Sequence, residues 1–275
     1  VVLRHGQRED YVAAGEGRGA AWVRAAERPW DPQLHECGHQ QARAAAKRMR
    51  AELDAAGAAF PSRIFVSPLV RCVETAHAVA EEFDVPAMGV EEGLAETVCE
   101  EWMRQWALPD SDTSWGGPEG REKLDPEPGV RPEALQGPRA LLRSAAELRA
   151  LYRDDGSGLE AARRIDPEHR SHVSLRDTDF AWGAFETHEA LAERTAGTVR
   201  ARMRDHPNET LVFVSHGGPS GACYLGLTGN LVPKGSGGMT AMSIFRPTQD
   251  GTLEALLSND ASHGDEFQRG VRTLI

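Results

Sequence analysis

The chain has 275 residues, with 31 Lys and Arg against 42 Asp and Glu, for a formal net charge of −11. That acidity argues against a nucleic-acid partner, whose phosphates are held by clustered cations, and no apolar run approaches the roughly 18 residues of a membrane span. With 40% hydrophobic and 27% charged residues, the composition is that of a soluble globular protein long enough for one large α/β core with an insertion.

Salt screens long-range repulsion beyond roughly 10 Å, so a local nest of arginines can still capture a small phosphate ester. Cys37, Cys72, Cys99 and Cys223 lie far apart without a CxxC pair. They read as reduced thiols, which fits a cytoplasmic setting. The missing initiator Met predicts a chain cut from a longer one, so a leader segment could have been removed.

The chain opens VVLRHGQRED. Residues 1–4 read as a short buried strand running into a loop, and 9–37 as loop-rich. GHQQARAAAKRMRAELDAA, from 38 to about 56, is rich in helix formers. RIFVS (63–67) predicts a strand, 70–83 a helix and 87–90 a weaker strand. Residues 109–138 are dense in Gly, Pro and charge and read as an inserted loop or lid, with a helix at 139–153 and irregular chain at 154–183. Helical periodicity returns at 186–206, and TLVFVS (210–215) is the clearest strand. A helix near 219–227, a Gly-rich loop at 235–238 and strands at 240–246 and 253–258 complete the chain. Strands alternating with helices predict a three-layer α/β sandwich: a mainly parallel central sheet of about six strands, covered on both faces. Residues 1–275 are expected to be a single domain with an insertion over about 109–183.

In such sheets ligands bind beyond the carboxyl ends of the strands. The first strand end delivers Arg4, His5 and Arg8, the second Ser67 and Arg71, and TLVFVSHGG delivers His216, Gly217 and Gly218. Three guanidiniums and two imidazoles at one edge would make an anion site. Helix N-termini would add N–H donors, and Gly6 and Gly217 would let the backbone approach a ligand. An imidazole among cations stays neutral, hence nucleophilic.

LRHG, SPLVRCVETA (67–76) and VSHG (214–217), in that order, resemble the histidine phosphatase superfamily, the phosphoglycerate-mutase-like fold. LHECGHQQA (34–42) resembles the family's helix-opening L-T-x-x-G-x-x-Q-A, and NDASH (259–263) its terminal N-D-T-S-H. The resemblance spans residues 1–260 and implies roles: His5 as the phosphorylated nucleophile, and Arg4, Arg8, Arg71 and His216 as ligands of the phosphoryl group. It also implies an acid after the third strand, for which Glu96 is chosen, with Glu91, Glu92 and Glu100 as alternatives. RHGQR carries Arg8 where mutases of the family have a small hydroxyl followed by Asn. That feature, SPLVRCVETAH and the long insertion look more like the Sts/TULA phosphatase domain and the ecdysteroid-phosphate phosphatases.

The implied activity is metal-independent hydrolysis of a phosphomonoester, phosphotyrosine-like or otherwise bulky, with no cofactor. A phosphoglycerate-type mutase and a phosphate-binding scaffold are the alternatives, and a homodimer is left open. A zinc reading of His35, Cys37 and His39 lacks a fourth ligand. GEGRGA (15–20) follows no strand and reads as a loop rather than a dinucleotide fingerprint. Cys72, Val73 and Thr75 read as ordinary helix packing. RSAAELRALYR (143–153) reads as a solvated helix face, and Trp102, Trp106 and Trp115 as packing for the insertion.

Overall fold

Six strands form one sheet in a computed structural model of the chain, which describes residues 1–97, 142–176, 186–233, 237–249 and 252–267. They are β1 (Val2–Arg4), β2 (Pro61–Val66), β3 (Met88–Val90), β4 (Thr210–Ser215), β5 (Met242–Pro247) and β6 (Leu253–Asp260), in the order β3-β2-β4-β1-β5-β6. The first four run parallel, and β5 and β6 extend the sheet antiparallel.

Side chains alternate across a strand, and the core divides accordingly. Leu3, Ile64, Val66, Val212 and Val214 face one way and pack with Met49 and Val73. Those two come from α3 (Glu36–Ala55) and α4 (Val70–Phe83). Val2, Phe65, Leu211 and Phe213 face the other way and pack with Val199 and Cys223. These come from α6 (His188–Asp205) and α7 (Gly217–Thr228). The sheet is therefore the middle of three layers.

Several expectations shift. The stretch expected to be loop carries two short helices, α1 (Glu9–Gly15) and α2 (Gly19–Ala25), so GEGRGA joins the end of one to the start of the next. Their local Ala-rich runs outweigh the scattered glycines. Among the described residues of the helix expected at 139–153, the helical ones are α5 (Ala145–Arg149), whose N-cap Ser144 forms a capping box with Glu147. Its Leu148 is fully buried, so one side of this helix belongs to the core rather than to solvent. The expected lid segment 109–138 and the three tryptophans lie outside the described residues. Residues 142–176 pack along the sheet: Ala161 and Ile165 join the core beside β3, and Ile165 bridges to Met88.

Candidate active site

The strand register assembles the site. In the parallel pair β1–β4, Arg4 stands opposite Ser215, so His5 and His216 leave the sheet side by side. In the pair β2–β4, Val66 stands opposite Val214, which brings Ser67 to the other flank of His216. The His5 and His216 rings meet edge-on with centroids 5.2 Å apart. Ser67 Oγ lies 2.7 Å from His216 Nε2.

His5 is buried, and its Nδ1 lies 2.8 Å from the Gly6 carbonyl oxygen. A carbonyl only accepts, so Nδ1 carries the proton and Nε2 keeps a free lone pair. Burial, and then the charges of Arg71, Arg4 and Arg8, hold this imidazole well below its ordinary range against the pull of the Gly6 bond. The peptide around it is pinned: the His5 N–H donates to Ser215, the Thr240 N–H donates to the His5 carbonyl, and Gly6 N–H donates to Thr75 Oγ1 at 3.1 Å.

The three expected arginines converge on this ring but are held differently. Arg71 is buried and donates through Nη1 to the Trp30 carbonyl at 3.4 Å, while its Nε has no partner among the described residues. Arg4 donates to the Gly238 carbonyl at 3.2 Å, and its buried Nε likewise lacks a partner there. Arg8 differs: its guanidinium grips Asp10 through both Nε and Nη2 and reaches the Tyr11 hydroxyl at 3.2 Å. Burial alone would weaken its charge, but Asp10 and Tyr11 more than offset that.

His216 is fully buried, and burial with Arg71, His5, Arg8 and Arg4 nearby holds it well below its ordinary range too. Its Nδ1 faces Glu96 Oε2 at 3.8 Å. Glu96 Oε1 accepts from the Thr97 N–H at 3.1 Å. The rival carboxylates are engaged elsewhere. Glu91 accepts from His169 Nε2 at 2.7 Å, Arg202 Nε at 2.6 Å and the His172 N–H at 2.9 Å. Burial would raise it, but those bonds hold it below the usual carboxylate range. Glu92 accepts from the Arg176 N–H at 2.9 Å and is raised by burial. Glu100 lies outside the described residues.

The two glycines serve close protein contacts. A side chain at Gly6 would meet the Gly38 carbonyl oxygen at 2.5 Å, so the glycine admits the start of α3, not a ligand. At Gly217 a side chain would meet Arg4 Cζ at 3.2 Å.

Two residues read as ordinary packing belong to the site. Cys72 Sγ lies 3.4 Å from His216 Nε2 and donates to the Ser215 carbonyl. Thr75, one turn after Arg71, receives the Gly6 N–H; that i, i+4 spacing was the available signal. The NDASH segment returns behind the nucleophile, where His263 Nε2 lies 3.1 Å from the hydroxyl of Thr240. His35 accepts the Cys37 N–H at 3.3 Å as the N-cap of α3.

Residues 1–136 match the family model of the histidine phosphatase superfamily (branch 1), and the six-stranded α/β fold is consistent with the fold of that superfamily. The chain shares its fold with the ecdysone phosphate phosphatase from Bombix mori in complex with tungstate, at 18% identity over 93% of this chain and 90% of that chain, with a TM-score of 0.53. A mycobacterial glucosyl-3-phosphoglycerate phosphatase in complex with VO3 is 20% identical over 94% of this chain and 97% of that chain, with a TM-score of 0.50. Phosphoserine phosphatase from Entamoeba histolytica in complex with 3-phosphoglyceric acid is 18% identical over 95% of this chain and 96% of that chain, also with a TM-score of 0.50. No curated protein matches the chain. Among the described residues, no helix is long and apolar enough to cross a membrane.

Proposed function

We propose that the chain, whose residues 1–136 match the histidine phosphatase superfamily, hydrolyses phosphomonoesters through a phospho-histidine at His5. One observation carries this reading. The His5 Nε2 lone pair is left free by the Nδ1 contact to Gly6, amid guanidiniums of which the buried Arg4 and Arg71 Nε–H groups lack partners among the described residues. Donors without acceptors in a buried pocket call for an anion.

In the first step Nε2 attacks phosphorus in line with the leaving group. The N–P bond forms as the P–O bond breaks, and the departing oxygen takes its electron pair and a proton from the Glu96 carboxyl. Arg4, Arg71 and His216 donate to the phosphoryl oxygens, with Arg8 adding its charge from its clasp on Asp10. In the second step water attacks phosphorus, the N–P bond breaks and the Glu96 carboxylate takes the water proton. Orthophosphate and the alcohol or phenol are the products, and the enzyme is restored.

Because guanidiniums meet the charge on the transferring oxygens, the mechanism uses no metal. The proposed substrates are bulky or phosphotyrosine-like esters, as for the Sts/TULA and ecdysteroid-phosphate branch. Arg8 in RHGQR supports that choice.

The test is release of p-nitrophenol from its phosphate ester with EDTA present, from acid to neutral pH. Wild type should turn over, and His5→Ala should lose at least about 10³-fold in kcat. An unchanged rate in His5→Ala overturns the mechanism. Interconversion of 2- and 3-phosphoglycerate without hydrolysis would replace it with a mutase.

A further inference from the structure

The helix that carries Arg71 begins at Val70, and its N-cap residue Leu69 has no side chain able to cap it. The cap comes from elsewhere in the chain. Asp31 Oδ1 accepts the Val70 N–H at 2.7 Å across 39 residues of sequence. The other carboxylate oxygen accepts from Arg143 Nη1, just ahead of α5. The Asp31 side chain has no solvent exposure at all, so both bonds are made in a buried setting. Its neighbour Trp30, also buried, offers its carbonyl to Arg71 Nη1.

We infer that Asp31 is a positioning residue for Arg71. Asp31 holds the first helical N–H of α4, and Trp30 holds the tip of the guanidinium one residue further along that helix. A single dipeptide thus holds the helix backbone at Val70, the residue before Arg71, and the tip of the Arg71 side chain. The negative charge at the helix N-terminus favours the same arrangement. Arg143 locks Asp31 in turn, so the segment that enters α5 bears on the phosphoryl pocket through one carboxylate. Sequence spacing hid this, because the partners lie at 31, 70–71 and 143. The assignment rests on the proposed phosphate-binding role of Arg71.

The test is a double-mutant cycle read by vanadate affinity, with a nuclear magnetic resonance readout of the Arg71 Nε–H. Wild type, Asp31→Ala, Asp31→Asn, Arg71→Ala and the Asp31→Ala/Arg71→Ala pair are compared. Asp31→Ala should raise the vanadate Kd about tenfold. Asp31→Asn keeps an acceptor for Val70 and should raise it less. In the Arg71→Ala background the Asp31 substitution should add nothing, because its effect runs through the missing guanidinium. Equal losses in both backgrounds overturn the inference.

The resonance readout does not depend on the ligand. In Asp31→Ala the Arg71 Nε–H signal should shift and exchange faster with water. An unmoved signal overturns the positioning role whether or not vanadate binds. If the signal moves as expected but wild type binds no vanadate, the positioning role stands and the phosphatase reading falls.

Discussion

At the scale of the residue, the two imidazoles tie the site to pH. Each is buried beside arginines, and each is held neutral where an exposed histidine would take up a proton. In the unfolded chain they return to about 6.5. Below that pH the unfolded state binds more protons than the native state, so their contribution to stability is complete above about pH 6.5 and is lost as pH falls toward their depressed native values. His216→Asn removes one of the two groups. Its urea-unfolding free energy should therefore fall less between pH 7 and pH 5 than that of wild type. Equal falls would show that His216 is not held neutral. Arg8 is a residue-scale case of another kind: its clasp on Asp10 and its bond to Tyr11 fix the position of a guanidinium that would otherwise be costly to bury.

At the scale of the element, the RHG loop and the start of α3 are one construction. Gly6 and Gly38 touch through their backbones, the Gln7 N–H donates to Gln41 Oε1 at 2.8 Å, and the His35 N–H donates to the Gln7 carbonyl. Gly6 admits α3, and α3 in turn holds the loop behind the nucleophile. A methyl group at Gly38 would press on the Gln7 backbone, which has little room to yield. Gly38→Ala should cost about 1–3 kcal/mol of stability and also reduce turnover, because the strain falls two residues from His5. Urea unfolding and the p-nitrophenol assay measure the two effects. A stable variant with a full rate would show that the contact is loose. Helix α4 is fastened in a similar way from the 31–35 segment, by Asp31 at Val70 and by Glu74 Oε2, which accepts the Leu34 N–H at 2.6 Å.

At the scale of the whole molecule, the layers and the site are separable. Met49 of α3 is fully buried in the core under one face of the sheet, away from the strand ends that carry the polar groups. Met49→Ala should cost about 2–5 kcal/mol while leaving the vanadate Kd as in wild type. A matching rise in Kd would mean that the pocket depends on the packing of the layer as a whole. The same variant calibrates the Asp31 experiment, since it lowers stability without touching Arg71.

The chain alone was enough for the alternation of strands and helices, and TLVFVS reads as a strand with both ends correct. It was also enough for the residues at the strand ends, because a run of β-branched and aromatic residues followed by Gly marks where a buried strand must stop. His5 and His216 stood out on that ground and Arg71 on the turn that Pro68 opens after RIFVS, while the roles expected of them came from the family resemblance. What lay beyond it was any contact between distant segments. Strand order placed Ser67 and His5 on the two sides of His216, and no local pattern specifies order. Two short helices in the 9–37 stretch, the partners of Arg8, the cap that Asp31 lends to α4 and the surroundings of Glu91, Glu92 and Glu96 all depend on three-dimensional neighbours. Local propensity sets where elements begin and end, whereas burial and pairing across the sheet decide which side chain meets which, and those interactions act only once the chain has folded.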